Sequence, residues 1–341
     1  MADFWLVPGG LIDNMNKFEF LEVTGSYKDV GYAIGAKFKK TIQERVNERQ
    51  KRIINYERYL KRTEPYFKAT KERFPNLVTE ISALADAAGV GVADYFSINN
   101  REVDSHDKGD HCTVAVSFGE SGAVVGHNED WEGASPDSLY ILKATIGKTT
   151  FFGLQYKVAI PGVSAAVNNW GLVQCINDLN PASQMGVPKN FVARAVLECK
   201  TLDEAESVIR GTRGASGFNH VLIQGLEVRN IEIAGSKIAV DKAMKESYVH
   251  TNHYLAPEMK SSEEFHTKSS EARYKKAKEM THPGMSVAEM KALLSDRKNV
   301  EYPISRHDAT LGSFITLPSL NEVYICYGPP DKGEYQKYEL A

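Results

Sequence analysis

Cysteine is scarce: the 341 residues hold four (Cys112, Cys175, Cys199 and Cys326), widely spaced and with no CxxC pair. That spacing fits a reducing compartment better than a disulfide framework. Long apolar runs are missing as well, and no stretch approaches the ~20 residues of a membrane span. Met1-Ala2-Asp3-Phe4-Trp5 has no basic flank and no apolar run, so no signal peptide is expected and the compartment expected is the cytoplasm. Basic excess is absent: 41 Lys and Arg against 44 Asp and Glu leave a net charge of −3, which argues against nucleic acid as a partner. The short basic runs Lys39-Lys40 and Lys51-Arg52 are mixed with glutamate and read as solvated helix faces. Gly31, Gly35 and the other glycines form no GxGxxG or phosphate loop, so no nucleotide cofactor is expected. Internal repeats and low-complexity tracts are lacking too.

What is present is a 42% hydrophobic content, ample for a large core. The first third reads as helical. Ile34, Phe38, Ile42 and Val46, followed by Ile53, Tyr56 and Leu60, predict one apolar stripe along a single long charged helix. Leu77, Ile81, Leu84, Ala85 and Ala88 predict a second helix capped by Gly89. Residues 101–110 are almost wholly polar and read as an exposed loop ending at Cys112. Beyond it, strands are expected at 112–118, 123–128, 139–146, 149–156, 163–168, 171–177, 218–225, 228–234, 247–253, 312–317 and 322–327. Helices interrupt them near Phe191–Leu197, after Thr201-Leu202-Asp203-Glu204, from about Ser269 and after Ser286-Val287-Ala288-Glu289, two of these starts reading as capping boxes. Strand runs broken by helical blocks predict two antiparallel sheets covered by helices, an α+β fold.

The chemistry concentrates at the hairpin that Cys112 opens. A four-residue turn, Gly119-Glu120-Ser121-Gly122, joins the strand after Cys112 to one that ends in His127-Asn128-Glu129-Asp130-Trp131. The two outer ends of a hairpin are neighbours, which brings Cys112 close to Asn128 and Asp130. A thiol has a pKa near ~8.5 and needs a base to react at neutral pH. Were the bond before Cys112 cut, its own α-amine, with a pKa of ~7.7–8.0, would serve. Amide donors for a substrate oxyanion are available at strand ends in Asn177, Asn219 and Asn252. Cys175, Cys199 and Cys326 sit among apolar neighbours and read as core residues. His250 and His253, three apart, fall on opposite faces of a strand, and His106, His111 and Cys112 have no second pair at finger spacing. No metal is expected.

The run from Cys112-Thr113 to Asn128-Glu129-Asp130-Trp131 resembles the opening of the penicillin acyltransferase-like family of N-terminal-nucleophile hydrolases, the C45 autoproteolytic acyltransferases related to choloylglycine hydrolases. Asp130 follows Cys112 by eighteen positions, as in that family. Leu21–Tyr27 with Gly31-Tyr32-Ala33-Ile34-Gly35, Asn168-Asn169-Trp170-Gly171-Leu172, Thr251-Asn252-His253 and Ser305-Arg306-His307 are similar to its other motifs. The resemblance implies a four-layer αββα sandwich made as a precursor and cut between His111 and Cys112. Residues 1–111 would be a helical pro-segment or small subunit and 112–341 the catalytic large subunit, the two fragments remaining associated as one structural domain. It implies Cys112 as nucleophile and Asp130 as the group holding the new amine, with Asn128 on the same wall. Asn177 and Asn252 match positions serving the oxyanion and the amine, and Arg306 matches an arginine supporting the thiolate. Asn219 has no counterpart. His111 stands where glycine is common and Glu129 where an aromatic or apolar residue is common. The activity implied is hydrolysis or acyl transfer on a small N-acyl amide through a Cys112 thioester, with no cofactor. Two rivals compete with it: a papain-like enzyme using Cys112, His253 and Asn177, and a non-catalytic binding protein of the same fold.

Overall fold

Period-two alternation of apolar side chains builds two sheets, and helices cover the outer face of each. The computed structural model describes residues 17–103 and 112–340. In chain order its strands are β1 (Glu19–Gly25), β2 (Thr113–Gly119), β3 (Gly122–Asp130), β4 (Leu139–Ile146), β5 (Thr149–Tyr156), β6 (Ala165–Asn168), β7 (Val173–Asp178), β8 (Phe218–Gln224), β9 (Glu227–Ala234), β10 (Lys237–Met244), β11 (Tyr248–His250), β12 (Thr310–Leu317), β13 (Glu322–Tyr327) and β14 (Tyr335–Glu339). The helices are α1 (Tyr27–Lys37), α2 (Lys39–Arg52), α3 (Tyr56–Arg73), α4 (Pro75–Ala88), α5 (Val92–Ile98), α6 (Lys189–Val196), α7 (Leu202–Arg210), α8 (Lys268–Met280) and α9 (Val287–Leu294).

The larger sheet runs β1-β4-β5-β6-β7-β8-β9-β10 and the smaller one β11-β2-β3-β12-β13-β14. All neighbours are antiparallel except β1 and β4. Val114, Val116, Val125 and Phe314 of the small sheet join the core shared with Phe152, Leu154, Val167 and Val221 of the large one. The intervening Ala115, Val124 and Ile315 pack instead on Met290, Leu293 and Leu294 of α9. The order of layers is therefore helices α1–α7, large sheet, small sheet, helices α8–α9: the αββα sandwich. At Gly126 a Cβ would lie 2.4 Å from Met290 Sδ, so glycine lets α9 sit directly on β3.

Several elements depart from the sequence expectation. The single long helix is three, α1 to α3. Its stripe holds at Ile34, Phe38, Ile42 and Val46, all buried, but the chain breaks at Phe38 and again after Arg52. Asn55 takes a left-handed φ of 56° and its side chain accepts from Arg58 N, starting α3 afresh, while Ile54 is 96% exposed. Glu19–Gly25 is a strand within the supposedly helical third. β10 and β14 were not expected either. All three lie on sheet edges, where charged side chains replace the apolar alternation. The α4 cap behaves as expected, with Gly89 at φ 70°.

No single helix among the described residues is long and apolar enough to cross a membrane; the apolar pair α4–α5 is bent by 111° and lies in the core.

His220 on β8 is a structural histidine. It is fully buried, shares a hydrogen bond with Gln174 Oε1 at 3.2 Å, and burial holds its pKa down at about 3. Unfolding frees it to titrate near 6.5. Above that pH the group has no effect on stability. As pH falls below it, the unfolded chain binds the proton and the folded chain does not, so stability is lost progressively toward pH 3. At pH 5 the loss from this one group is about 2 kcal/mol relative to pH 7.5. Urea unfolding of the wild type and of His220→Gln at the two pH values checks this. The variant is expected to lose less on acidification, and equal losses in both proteins refute the assignment.

Candidate active site

Alternation along the hairpin decides which side chains meet the thiol. In β2, Val114 and Val116 face the large sheet, and Cys112 stands on the same side, just before the strand. β2 pairs with β3 through Thr113↔Asn128 and Val114↔His127. The inward residues at that end of β3 are therefore His127 and Glu129. Cys112 is 3% exposed, and its Sγ lies 3.4 Å from Glu129 Oε1. Its backbone is left-handed, with φ 73°, a conformation that costs a residue bearing a Cβ of order 1–3 kcal/mol and clusters at functional sites.

Glu129 is the hub of a buried network. Oε1 also accepts from Tyr156 OH at 2.6 Å, and Oε2 lies 2.9 Å from His127 Nε2. Burial pushes the Cys112 thiol well above its ordinary pKa, and the charges of Glu129 and Asp130 push the same way. The Asp130 backbone N–H, which donates to the sulfur, opposes them only in part. The resting thiol is neutral and needs a base to be activated. Burial raises Cys175, Cys199 and Cys326 as well, the last two to about 12, as core cysteines should be.

The sequence-predicted residues fall into two groups. Asp130 accepts from Thr310 Oγ1 at 2.6 Å and is near enough for its charge to act on the thiol. Asn177 lies on the inner face of β7. It is opposite Asn219, which is opposite Glu232, and Glu232 pairs with His250 of the small sheet at 3.1 Å across the sandwich. The Asn177 amide Nδ2 is buried with no acceptor among the described residues, while its Oδ1 accepts from Asn219 at 3.5 Å. A donor left open in this way is what an oxyanion requires.

Asn128 corrects the expectation that it lines the Cys112 wall. Being one residue from Glu129, it points to the other face, where its Nδ2 donates to Leu294 O at 2.9 Å and Ile304 O at 3.2 Å. It anchors the end of α9. Asn252 is a connector: Nδ2 donates to Asp178 O at 3.1 Å and Oδ1 accepts from Arg273 at 3.0 Å. Arg306 pairs with Glu132, and its backbone N–H donates to Thr310 Oγ1 at 2.9 Å, one step from Asp130. His253 ring Nδ1 lies 2.8 Å from Ser270 Oγ, and the ring packs edge-on to Tyr274 of α8. His106 and His111, and with His111 the proposed cleavage junction, lie outside the described residues.

Five further residues around the site escaped the sequence reading. Arg273 of α8 donates through Nη1 to Cys112 O at 2.6 Å and Thr113 Oγ1 at 2.8 Å, holding the strained residue by its carbonyl. Asp178 binds Arg101 at 3.1 Å and also Lys189, while Arg101 lies over the Trp131 ring. Tyr156 is the fifth. All come from elements remote in sequence, and no local pattern marks them. Glu129 escaped as well, although its parity with Val125 and His127 is a local signal that sets it on the opposite face from Asn128.

Arg101, Cys112, Glu129, Trp131, Tyr156 and Asp178 help line a cavity of about 20 Å³. That is room for roughly one water, which needs ~10–15 Å³. A larger space of about 670 Å³, lined by Asn230, Glu232, Asp241 and Tyr248, opens at the sandwich edge between β10 and β11. Cys112, His127 and Glu129 offer donor atoms within 4.8 Å of one another, a set that a soft dication could bridge, although His127 and Tyr156 already occupy the carboxylate.

A family model described as acyl-coenzyme A:6-aminopenicillanic acid acyl-transferase matches residues 117–332. The match begins just after Cys112 and spans Asp130, Asn177, Asn252 and Arg306. No curated protein matches the chain.

Proposed function

Because the chain belongs to the acyl-coenzyme A:6-aminopenicillanic acid acyl-transferase family and so acts on acyl groups, we propose that it is a self-processed enzyme whose nucleophile is Cys112. The observation that carries this reading is Cys112 itself: a left-handed, buried residue at the head of a strand, its thiol against a carboxylate and its carbonyl gripped by an arginine.

In the uncut chain the thiol attacks the carbonyl carbon of residue 111, the C–N bond breaks, and water hydrolyses the resulting thioester. The products are a carboxyl at residue 111 and a free α-amine on Cys112. The Asp130 carboxylate, close enough for its charge to act on the Cys112 thiol, would hold the ammonium form of the amine. The amine then accepts the thiol proton, and sulfur attacks the carbonyl of a small N-acyl amide. Asn177 Nδ2 stabilises the oxyanion, the amine leaves, and the acyl thioester passes to water or to another amine.

Mass analysis of the protein quenched in acid during turnover of an N-acyl amide panel tests the reading. An acyl adduct mapped to the peptide beginning at Cys112 is expected, and an adduct on another residue with Cys112 unmodified overturns it. Replacing Asn177 with alanine is expected to lower kcat by about 10²–10³-fold with little change in KM, the signature of one oxyanion donor. Steady-state kinetics measure both, and an unchanged kcat removes Asn177 from this role.

A further inference from the structure

Self-cleavage cannot use the α-amine as its base, because until the chain is cut the Cys112 nitrogen is an amide and has no basic lone pair. We propose that Glu129 is the catalytic base of self-cleavage, an assignment that rests on that reading. Its Oε1 takes the Cys112 thiol proton as sulfur bonds to the carbonyl carbon of residue 111. The same oxygen returns that proton to the Cys112 nitrogen as the C–N bond breaks. The balance closes without a co-reactant: one S–C bond forms, one C–N bond breaks, and one proton moves from sulfur to nitrogen by way of the carboxylate. Water enters only afterwards, to hydrolyse the thioester.

Geometry supports Glu129 over the other groups nearby. It has a carboxylate oxygen within hydrogen-bonding reach of Sγ, at 3.4 Å. Tyr156 at 2.6 Å and His127 at 2.9 Å fix its orientation from opposite sides, and all four side chains are buried, so bulk water is no rival acceptor. Asp130 belongs to the alternate face of β3, where its side chain accepts from Thr310. The raised pKa of the thiol fits a proton held until attack begins, in place of a standing thiolate. Once the amine exists it takes over, so the two reactions of one cysteine use two different bases.

The test follows the full-length chain by intact mass from first synthesis, in the wild type, Glu129→Gln and Glu129→Asp, with thermal melting of each. Glutamine keeps the shape and the Tyr156 contact but cannot take the proton. Self-cleavage is expected to slow by about 10²–10⁴-fold in Glu129→Gln, to recover in part in Glu129→Asp, and to do so at closely similar melting temperatures. Cleavage of Glu129→Gln at the wild-type rate overturns the assignment. So does failure of both variants accompanied by a large fall in melting temperature, since that marks a structural role. A wild type that is never cut refutes self-processing itself, a distinct result from a cut wild type and a cut Glu129→Gln.

Discussion

Cys112→Ala is expected to purify as one uncut chain, where the wild type yields two fragments divided before Cys112, and to lose acyl transfer and hydrolysis by at least about 10⁴-fold. The size of the effect follows from the proposed chemistry: sulfur would form the covalent bond in both processing and turnover, and Cys112 is the described thiol that hydrogen-bonds to Glu129. The fold should survive. Alanine keeps the Cβ and tolerates the left-handed φ no worse than cysteine does, and the side-chain hydrogen bond given up is a long one, to a carboxylate oxygen at 3.4 Å. The carbonyl of residue 112 still accepts from Arg273 whatever the side chain. Intact mass and steady-state rates measure the two losses. An alanine variant that is cut like the wild type, or a wild type that is fully active uncut, sinks the mechanism.

The second large effect concerns what holds the fragments together. Arg194 of α6 donates to both Glu80 oxygens of α4, at 3.0 and 2.7 Å, and to Glu198 at 2.7 Å, and Arg194 and Glu80 are both fully buried. Burial opposes charge at each, yet the two carboxylates hold the guanidinium firmly protonated. Arg194→Met would strand the Glu80 carboxylate, at a cost of about 3–5 kcal/mol. The double variant with Glu80→Met should recover most of it, because the desolvation penalty of both ions goes with them. Glu80 precedes Cys112 in the chain and Arg194 follows it, so the pair spans the proposed cut. Denaturant unfolding measures the cost, and size-exclusion chromatography at low denaturant shows whether the fragments separate sooner in the single variant. A loss below about 1 kcal/mol means that this pair does not bind the halves. Other contacts across position 112 run in parallel, including β1 on β4 and the backbone N–H of Lys189 donating to Glu102 at 2.8 Å. Gly31 and Gly35 also bring α1 close to α4, where a Cβ would lie 2.0 Å from Glu80 O and 2.2 Å from Leu84 O.

The parts of the fold that could be read beforehand share one property: their neighbours are close in sequence. The Cys112 hairpin, the Gly89 cap and the Ser286–Glu289 capping box, both arms of which are present, are local arrangements. The edge strands β1, β10 and β14 were invisible because one-sided pairing lets charged residues replace the alternation that marks a buried strand. The break of the expected long helix at Asn55 likewise has no strong local mark, since asparagine is tolerated in a helix and only its left-handed φ shows that the helix restarts.

The same division runs through the site. By itself the sequence determined that a cysteine opens a hairpin whose far end carries acids, because chain connectivity and strand pairing oblige those ends to meet. It also determined that Asn128 and Glu129 face opposite ways, because side chains alternate along any strand. Tertiary structure alone decided which of the two faces holds the thiol, since that depends on where the large sheet lies. It alone delivered Tyr156 from β5, Arg273 from α8 and the Arg101–Asp178–Lys189 cluster, whose sequence distances from Cys112 carry no signal. The proposed base lies beside the thiol in one hairpin, but its burial and its contact with Tyr156 need the two sheets packed face to face, and that packing is a property of the whole chain.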